Sequence, residues 1–370
     1  MHNQENSVAE SQAESLAESV ATFIRDPAGQ DTGTRDPHSQ DPDSQDPDNQ
    51  DTGTHDFDEL TRRAFAFQYE RSKRYRQLCQ LHGVEPGSIR SWRDVPAIAA
   101  KACQNFFVDG TAESPSLVRG LPESLHRSLQ NAMLDASWPR FCLGQLTQPP
   151  ILSLLPSTVQ APEARLAMMV DDVLERWGHS DSIVAVGEQG VDAKQARGFL
   201  AARQRDEQPI LVVATARTLG QLVESLEKLD LRFRMPTASV VVEIGASVGP
   251  VVIKSVRTGV STGEIHDPTL LHQLVEQFLA IPPTQIVREH GSIELASQLF
   301  TDTLDGGDPE VFMPPHWVRL SIVDPDSKQR VAEGEPGNLH VFDLANLGSA
   351  IHIDTNMRGT AQAGGFRPLA

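Results

Sequence analysis

Between residues 183 and 287 short apolar runs alternate with longer amphipathic stretches, and this alternation restricts the fold more than any other feature of the sequence. The runs lie at 183–186, 210–214, 239–244 and 285–287. They are too short and too continuously apolar for surface helices, and they read as strands buried on both faces. The stretches at 191–203, 218–229 and 268–279 place apolar residues at helical spacing. Parallel neighbours need a crossover long enough to hold a helix, so strand, helix, strand in succession predicts a mostly parallel sheet with helices on its faces.

The flanking regions differ. Residues 57–82 carry Leu60, Ala64, Phe67, Tyr75 and Leu78 between charges, a helical face ending near Gly83. Residues 158–177 repeat the pattern with Leu166, Met169, Val170, Val173 and Leu174. Near the end, Val318, Leu320 and Ile322 alternate with polar residues, as do Leu339 and Val341. Between them lie Asp324-Pro325-Asp326 and Gly334-Glu335-Pro336-Gly337, so this region reads as antiparallel strands joined by tight turns.

The formal net charge is −18, and 13 of the 50 acidic but only two of the 32 basic side chains fall in residues 1–56. A chain of this charge is a poor general binder of phosphate backbones, so nucleic acid is not expected as a partner. Residues 26–56 are built from Gln-Asp-Pro and Gln-Asp-Thr-Gly-Thr units with no aromatic residue. Residues 1–56 are therefore expected to be a disordered acidic tail, with 7–24 at most a marginal helix, and 57–370 the folded domain.

Three scattered cysteines, Cys79, Cys103 and Cys142, suit buried or free thiols rather than a disulfide framework or zinc site. No secretory leader pattern and no run of 18 apolar residues is present, which predicts a cytoplasmic protein without a membrane span. Standard dinucleotide, P-loop, nucleophile-elbow and zincin motifs are missing. Gly245-Ala246-Ser247-Val248-Gly249 follows a strand, where backbone amides can receive a phosphate or simply make a turn. His340, His352 and Asp354 are expected to be hydrogen-bonded side chains, and His316-Trp317 a satisfied histidine beside an aromatic anchor.

Several segments in collinear order over about residues 65–366 resemble one family. They include Tyr75-Arg76-Gln77-Leu78-Cys79, Val95-Pro96-Ala97-Ile98 and Leu152-Ser153-Leu154-Leu155-Pro156-Ser157. The closest are Pro314-Pro315-His316-Trp317-Val318-Arg319 and Phe342-Asp343-Leu344-Ala345-Asn346-Leu347-Gly348-Ser349. The set resembles the acyl-protein synthetases of the LuxE type, which are adenylate-forming enzymes. The resemblance implies an α/β fold of the adenylate-forming type: a large domain of helix-flanked, mostly parallel sheets with a distal antiparallel β region. It also implies ATP and Mg2+ as cofactors, and a long-chain fatty acid or other acyl group as substrate. An acyl-acceptor or reductase protein is the implied partner.

The same resemblance assigns site residues. His290-Gly291-Ser292-Ile293-Glu294 corresponds to the family's Tyr-Gly-Met-Thr-Glu, with His290 beside adenine, Gly291 retained and Glu294 holding magnesium; His290 and Glu294 are the catalytic candidates. Glu243, Gly245 and Gly249 border the acyl and α-phosphate region, and Thr355 approaches the phosphates. Other positions depart from the pattern. The phosphate loop is missing from 108–124, the Lys and Arg of the family's glycine-rich motif become Val248 and Pro250, and its ribose-binding acid becomes Met357. Neither replacement of the cations stabilises phosphate charge, and a thioether is a weak acceptor. The sequence ends at Ala370, about where the family continues to its acyl-accepting cysteine, so the small C-terminal domain is expected to be reduced or absent. Three readings follow: a synthetase with impaired activity; a catalytically inactive homologue that binds or scaffolds; or an unrelated α/β enzyme using Glu243 and Glu294 as paired acids.

Overall fold

A computed structural model describes residues 2–26, 52–106, 121–162, 164–187, 190–245, 251–252, 264–265, 268–292 and 294–369. The helices are α1 (His2–Arg25), α2 (Thr52–Arg71), α3 (Lys73–Leu81), α4 (Ala100–Phe106), α5 (Glu123–Trp138), α6 (Arg165–Trp177), α7 (Ala193–Arg205), α8 (Ala216–Lys228) and α9 (Pro268–Leu279). The strands begin with β1 (Ile98–Ala99), β2 (Ile151–Ser153), β3 (Ile183–Val184), β4 (Val186–Gly187), β5 (Gly190–Val191), β6 (Leu211–Ala214), β7 (Val240–Glu243) and β8 (Val251–Val252). They continue with β9 (Glu264–Ile265), β10 (Ile286–His290), β11 (Leu299–Thr301), β12 (Phe312–Met313), β13 (Val318–Val323), β14 (Pro336–Asp343), β15 (His352–Gln362) and β16 (Gly365–Pro368). The chain divides into two compact units, one of residues 1–137, 292–298 and 314–369, the other of 138–291 and 299–313.

The second unit holds the predicted parallel sheet. Its strands run in the order β3, β2, β6, β7, β10, all parallel, and β11 and β12 extend it antiparallel. Leu152, Val212, Val241 and Ile286 fall in one register row across four strands, all buried. Helices α7, α8 and α9 cover this row with Phe199, Leu200, Leu219, Leu222, Leu226, Val275 and Phe278. Each such side chain contributes about 1.5–3 kcal/mol by leaving water. Helix α8 starts where it does because Thr215 caps it, accepting from the amide of Thr218 at 3.2 Å. In chain order the parallel strands read 2-1-3-4-5, so the winding reverses between β2 and β6.

The first unit contains the antiparallel region, β13, β14, β15 and β16 in order, with β1 added parallel to β15. Leu320 faces Val341 and Ile322 faces Leu339, the residues whose alternation predicted the hairpin. Asp324 closes its turn by accepting from the amides of Asp326 and Ser327. The predicted helix over 57–82 is two helices. Ser72 breaks it and caps α3, accepting from Tyr75 N at 3.1 Å.

The acidic tail expected over 1–56 is corrected at both ends. Helix α1 buries Ala13, Leu16, Ala17, Val20, Ala21 and Ile24, and α2 begins at Thr52. Phe23 packs 6.1 Å from Phe57 and 5.3 Å from His316, whose Nε2 donates to the Phe23 carbonyl at 2.9 Å. The stripe is easily missed because three of its six residues are alanines inside a strongly acidic segment. Tertiary packing, rather than propensity, stabilises such a helix. The repeat at 27–51 lies outside the described residues.

His352 is buried among Trp92, Phe342 and His340, and its Nδ1 donates to the Val95 carbonyl at 2.6 Å. Its Nε2 has no hydrogen-bond partner. Burial pushes its pKa down to about 4, and the neighbouring His340 adds repulsion; the Val95 carbonyl and Asp354 act the other way. An ordinary histidine titrates near 6.5, so the unfolded chain takes up this proton first. Stability is expected to fall as pH drops from about 6.5 to 4, by about 3 kcal/mol from this group. Urea midpoints across that range check it, and His352→Phe should lose this component of the pH dependence.

Candidate functional site

The C-terminal ends of β7 and β10 lie side by side and carry four buried polar residues of the second unit, Glu243, Arg288, Glu289 and His290. Parallel register places Glu243 opposite Arg288, so strand alternation puts Glu243, Arg288 and His290 on one face and Glu289 on the other. On the first face Glu243 is buried, and its Oε2 lies 2.7 Å from Nε2 of the buried His272 on α9. His290 meets Phe312 edge-on at 5.6 Å, and the Arg288 guanidinium lies 5.3 Å from the same ring. On the second face Glu289 Oε2 accepts from the Gly245 amide at 2.7 Å. Gly245 has φ of +67°, a conformation that favours glycine.

Behind Glu289 stands an unusual segment, the π-helix Pro139–Leu143. Phe141 stacks on Phe300 at 5.4 Å, and Arg140 holds Asp302 through two bonds of 2.9 and 2.8 Å and Asp305 through one of 2.6 Å. Burial pushes the Cys142 thiol well above its ordinary range, and the charge of Glu289 adds to the shift. That thiol is protonated and inert at neutral pH.

The candidate residues therefore fall into two groups. Glu243, Gly245, His290 and Gly291 come together in the second unit. Gly249 lies outside the described residues, as does most of the segment matched to the phosphate loop. Glu294 and Thr355 belong to the first unit. Thr355 Oγ1 donates to the Leu339 carbonyl at 2.8 Å and accepts from Met357 N at 3.2 Å. Within the second unit the partner of Glu243 is His272.

Glu294 is half-buried beside Cys103 of α4, whose thiol is pushed up to about 12 by burial and by the Glu294 charge. With the thiol protonated, the carboxylate is the donor there, an oxygen ligand of the kind Mg2+ prefers. Among the described residues no group of three His, Cys, Asp or Glu is placed to hold a metal. A magnesium ion at Glu294 would take its other ligands from phosphates and water, which is the usual arrangement for this ion. Sequence reasoning missed His272, Glu289 and Asp343. The signal for His272 was a polar residue between Leu271 and Leu274 on an apolar helix; for Asp343, a lone charge ending an apolar strand.

No protein-family profile and no curated protein matches the sequence. The fold has solved counterparts. Over 86% of this chain it superposes on 2-hydroxyisobutyryl-CoA ligase in the postadenylation state with R3-HIB-AMP, with a TM-score of 0.59 at 12% identity. An open conformation of that ligase with 2-HIB-AMP and CoA gives 0.57 over 85%, again at 12% identity. The chain spans 66% of the length of the first and 74% of the second. At this identity the likeness defines the fold, and the fold is that of the adenylate-forming ligases. Among the described residues no helix is long and apolar enough to cross a membrane.

Proposed function

We propose that the protein is a divergent acyl-protein synthetase of the LuxE type in which ATP-dependent acyl activation is impaired and ligand binding outlasts turnover. The observation that carries this reading is the 2.7 Å contact between Glu243 and His272, both buried. An acid matched to the border of the acyl and α-phosphate region is thereby engaged inside the protein, and the cations that would accompany it are replaced by Val248 and Pro250. The Gly245 amide is likewise committed, to Glu289.

The remaining functional groups support binding. His290 offers a ring to adenine, Glu294 a carboxylate to Mg2+, and the ion would neutralise phosphate charge when bound. The substrate class is a long-chain fatty acid or another acyl carboxylate, and the acceptor is a protein thiol on an acyl-acceptor or reductase protein. Each missing charge-stabilising group costs about 10²–10³ in rate, which accounts for loss of turnover without loss of the fold.

Calorimetry with Mg-ATP and with a long-chain acyl-sulfamoyl adenosine, alongside ATP–pyrophosphate exchange, tests the reading. The expected result is saturable binding of both ligands, weaker Mg-ATP binding in Glu294→Ala, and exchange at the limit of detection. Failure of both ligands to bind would sink it, and rapid exchange would restore a fully active synthetase.

A further inference from the structure

Glu294 sits on a loop, and a loop carboxylate orients an ion only if something holds the loop. In the first unit that support is a buried polar network. Asp343, the last residue of β14, is fully buried. Its Oδ2 accepts from the amides of Ala296 at 3.1 Å and Ser297 at 2.8 Å, and its Oδ1 from Ser297 Oγ at 2.7 Å and Ala345 N at 3.0 Å. Asn346, three residues on, donates from Nδ2 to the Glu294 carbonyl at 2.7 Å and to the Ala350 carbonyl at 2.8 Å. Gln68 of α2 clamps the same turn. Its Nε2 donates to the carbonyls of Asn346, Leu347 and Ser349, and its Oε1 accepts from the Ile351 amide at 3.2 Å.

The carboxylate of Asp343 and the amide of Asn346 thus take up backbone groups on both sides of the residue pair that follows Glu294. Neither side chain faces solvent, so neither binds a ligand directly. Trp317 seals the arrangement, its Nε1 donating to Ser297 Oγ at 2.8 Å.

We infer that Asp343 and Asn346 are positioning residues that hold Glu294 in place for the magnesium ion of a bound nucleotide. This rests on the functional reading above. Loss of such outer support typically costs about 10–100-fold in metal affinity.

The test uses the full chain and the variants Asn346→Ala and Asp343→Asn, titrated by calorimetry with ATP in the presence of Mg2+ and in the presence of EDTA. Circular dichroism establishes which variants fold. In folded Asn346→Ala the Mg2+-dependent gain in ATP affinity is expected to shrink about tenfold or more, with affinity in EDTA unchanged. Hydrogen exchange should rise in residues 294–298. Should Asp343→Asn fail to fold, Asn346→Ala and the uncharged Gln68→Met carry the comparison. An unchanged Mg2+ dependence in folded Asn346→Ala would overturn this inference alone. Absence of ATP binding to the unaltered chain would overturn the functional reading and this inference together.

Discussion

Asp343→Ala is expected to lower the free energy of unfolding by about 4 kcal/mol or more. The physical reason is the number of donors left behind. Three backbone amides and the Ser297 hydroxyl bond this one carboxylate in a site closed to water. Each buried donor stripped of its partner costs about 1–3 kcal/mol, and removal of the side chain leaves a void as well. Burial raises the pKa of Asp343 while its four donors pull it back, so the carboxylate is held by its bonds rather than by solvent. The whole stability of a natural domain is about 5–15 kcal/mol. Urea denaturation followed by tryptophan fluorescence measures the loss, since Trp317 reports on the site through its bond to Ser297. A shift below about 1 kcal/mol would show that water replaces the carboxylate, and the network would then lose its structural role.

Gly359→Ala is the second large effect, and it acts by crowding. A Cβ at this position would lie 2.4 Å from the Arg367 carbonyl oxygen and 2.0 Å from a ring carbon of Phe366. Residue 359 pairs with Pro368 across β15 and β16, and Phe366 is fully buried, so neither neighbour has room to withdraw. Overpacking costs typically 1–3 kcal/mol when a side chain gives way. Here a backbone oxygen and a core ring must both move, and about 3 kcal/mol or more is expected. The readout is the thermal midpoint together with hydrogen exchange in β15 and β16. Gly337, which pairs with Gly359 on the other side, faces a similar limit at Val323 O, 2.7 Å away. Both glycines serve strand packing.

The parallel strands were legible because their burial on both faces writes itself into composition. Residues 211–214 and 240–243 are buried without interruption, and apart from Glu243 the sequence shows the same apolar runs. Helix α9 occupies 268–279 as predicted. The hairpin of β13 and β14 was legible from its alternation and from Asp324-Pro325-Asp326. Helix α1 was not, because alanine and a three-to-four spacing inside an acidic segment become meaningful only once α2 is packed against them. The break at Ser72 was hidden for a related reason. The apolar face continues across it, and only the capping bond to Tyr75 N reveals two helices.

For the candidate site, sequence spacing brought Glu243 with Gly245 at the end of one predicted strand and His290 with Gly291 shortly after another. The partners of those residues lie far along the chain. His272 reaches Glu243 from α9, and Glu289 reaches Gly245 from a neighbouring strand. Asp343 and Asn346 meet the 294–297 loop across about fifty residues of sequence. Local pattern determined the order of strands and helices in this protein, because burial and turn chemistry act on neighbours in the chain. Which buried acid meets which donor was decided only by the tertiary structure, because hydrogen bonds between side chains depend on distance and direction that no sequence interval encodes.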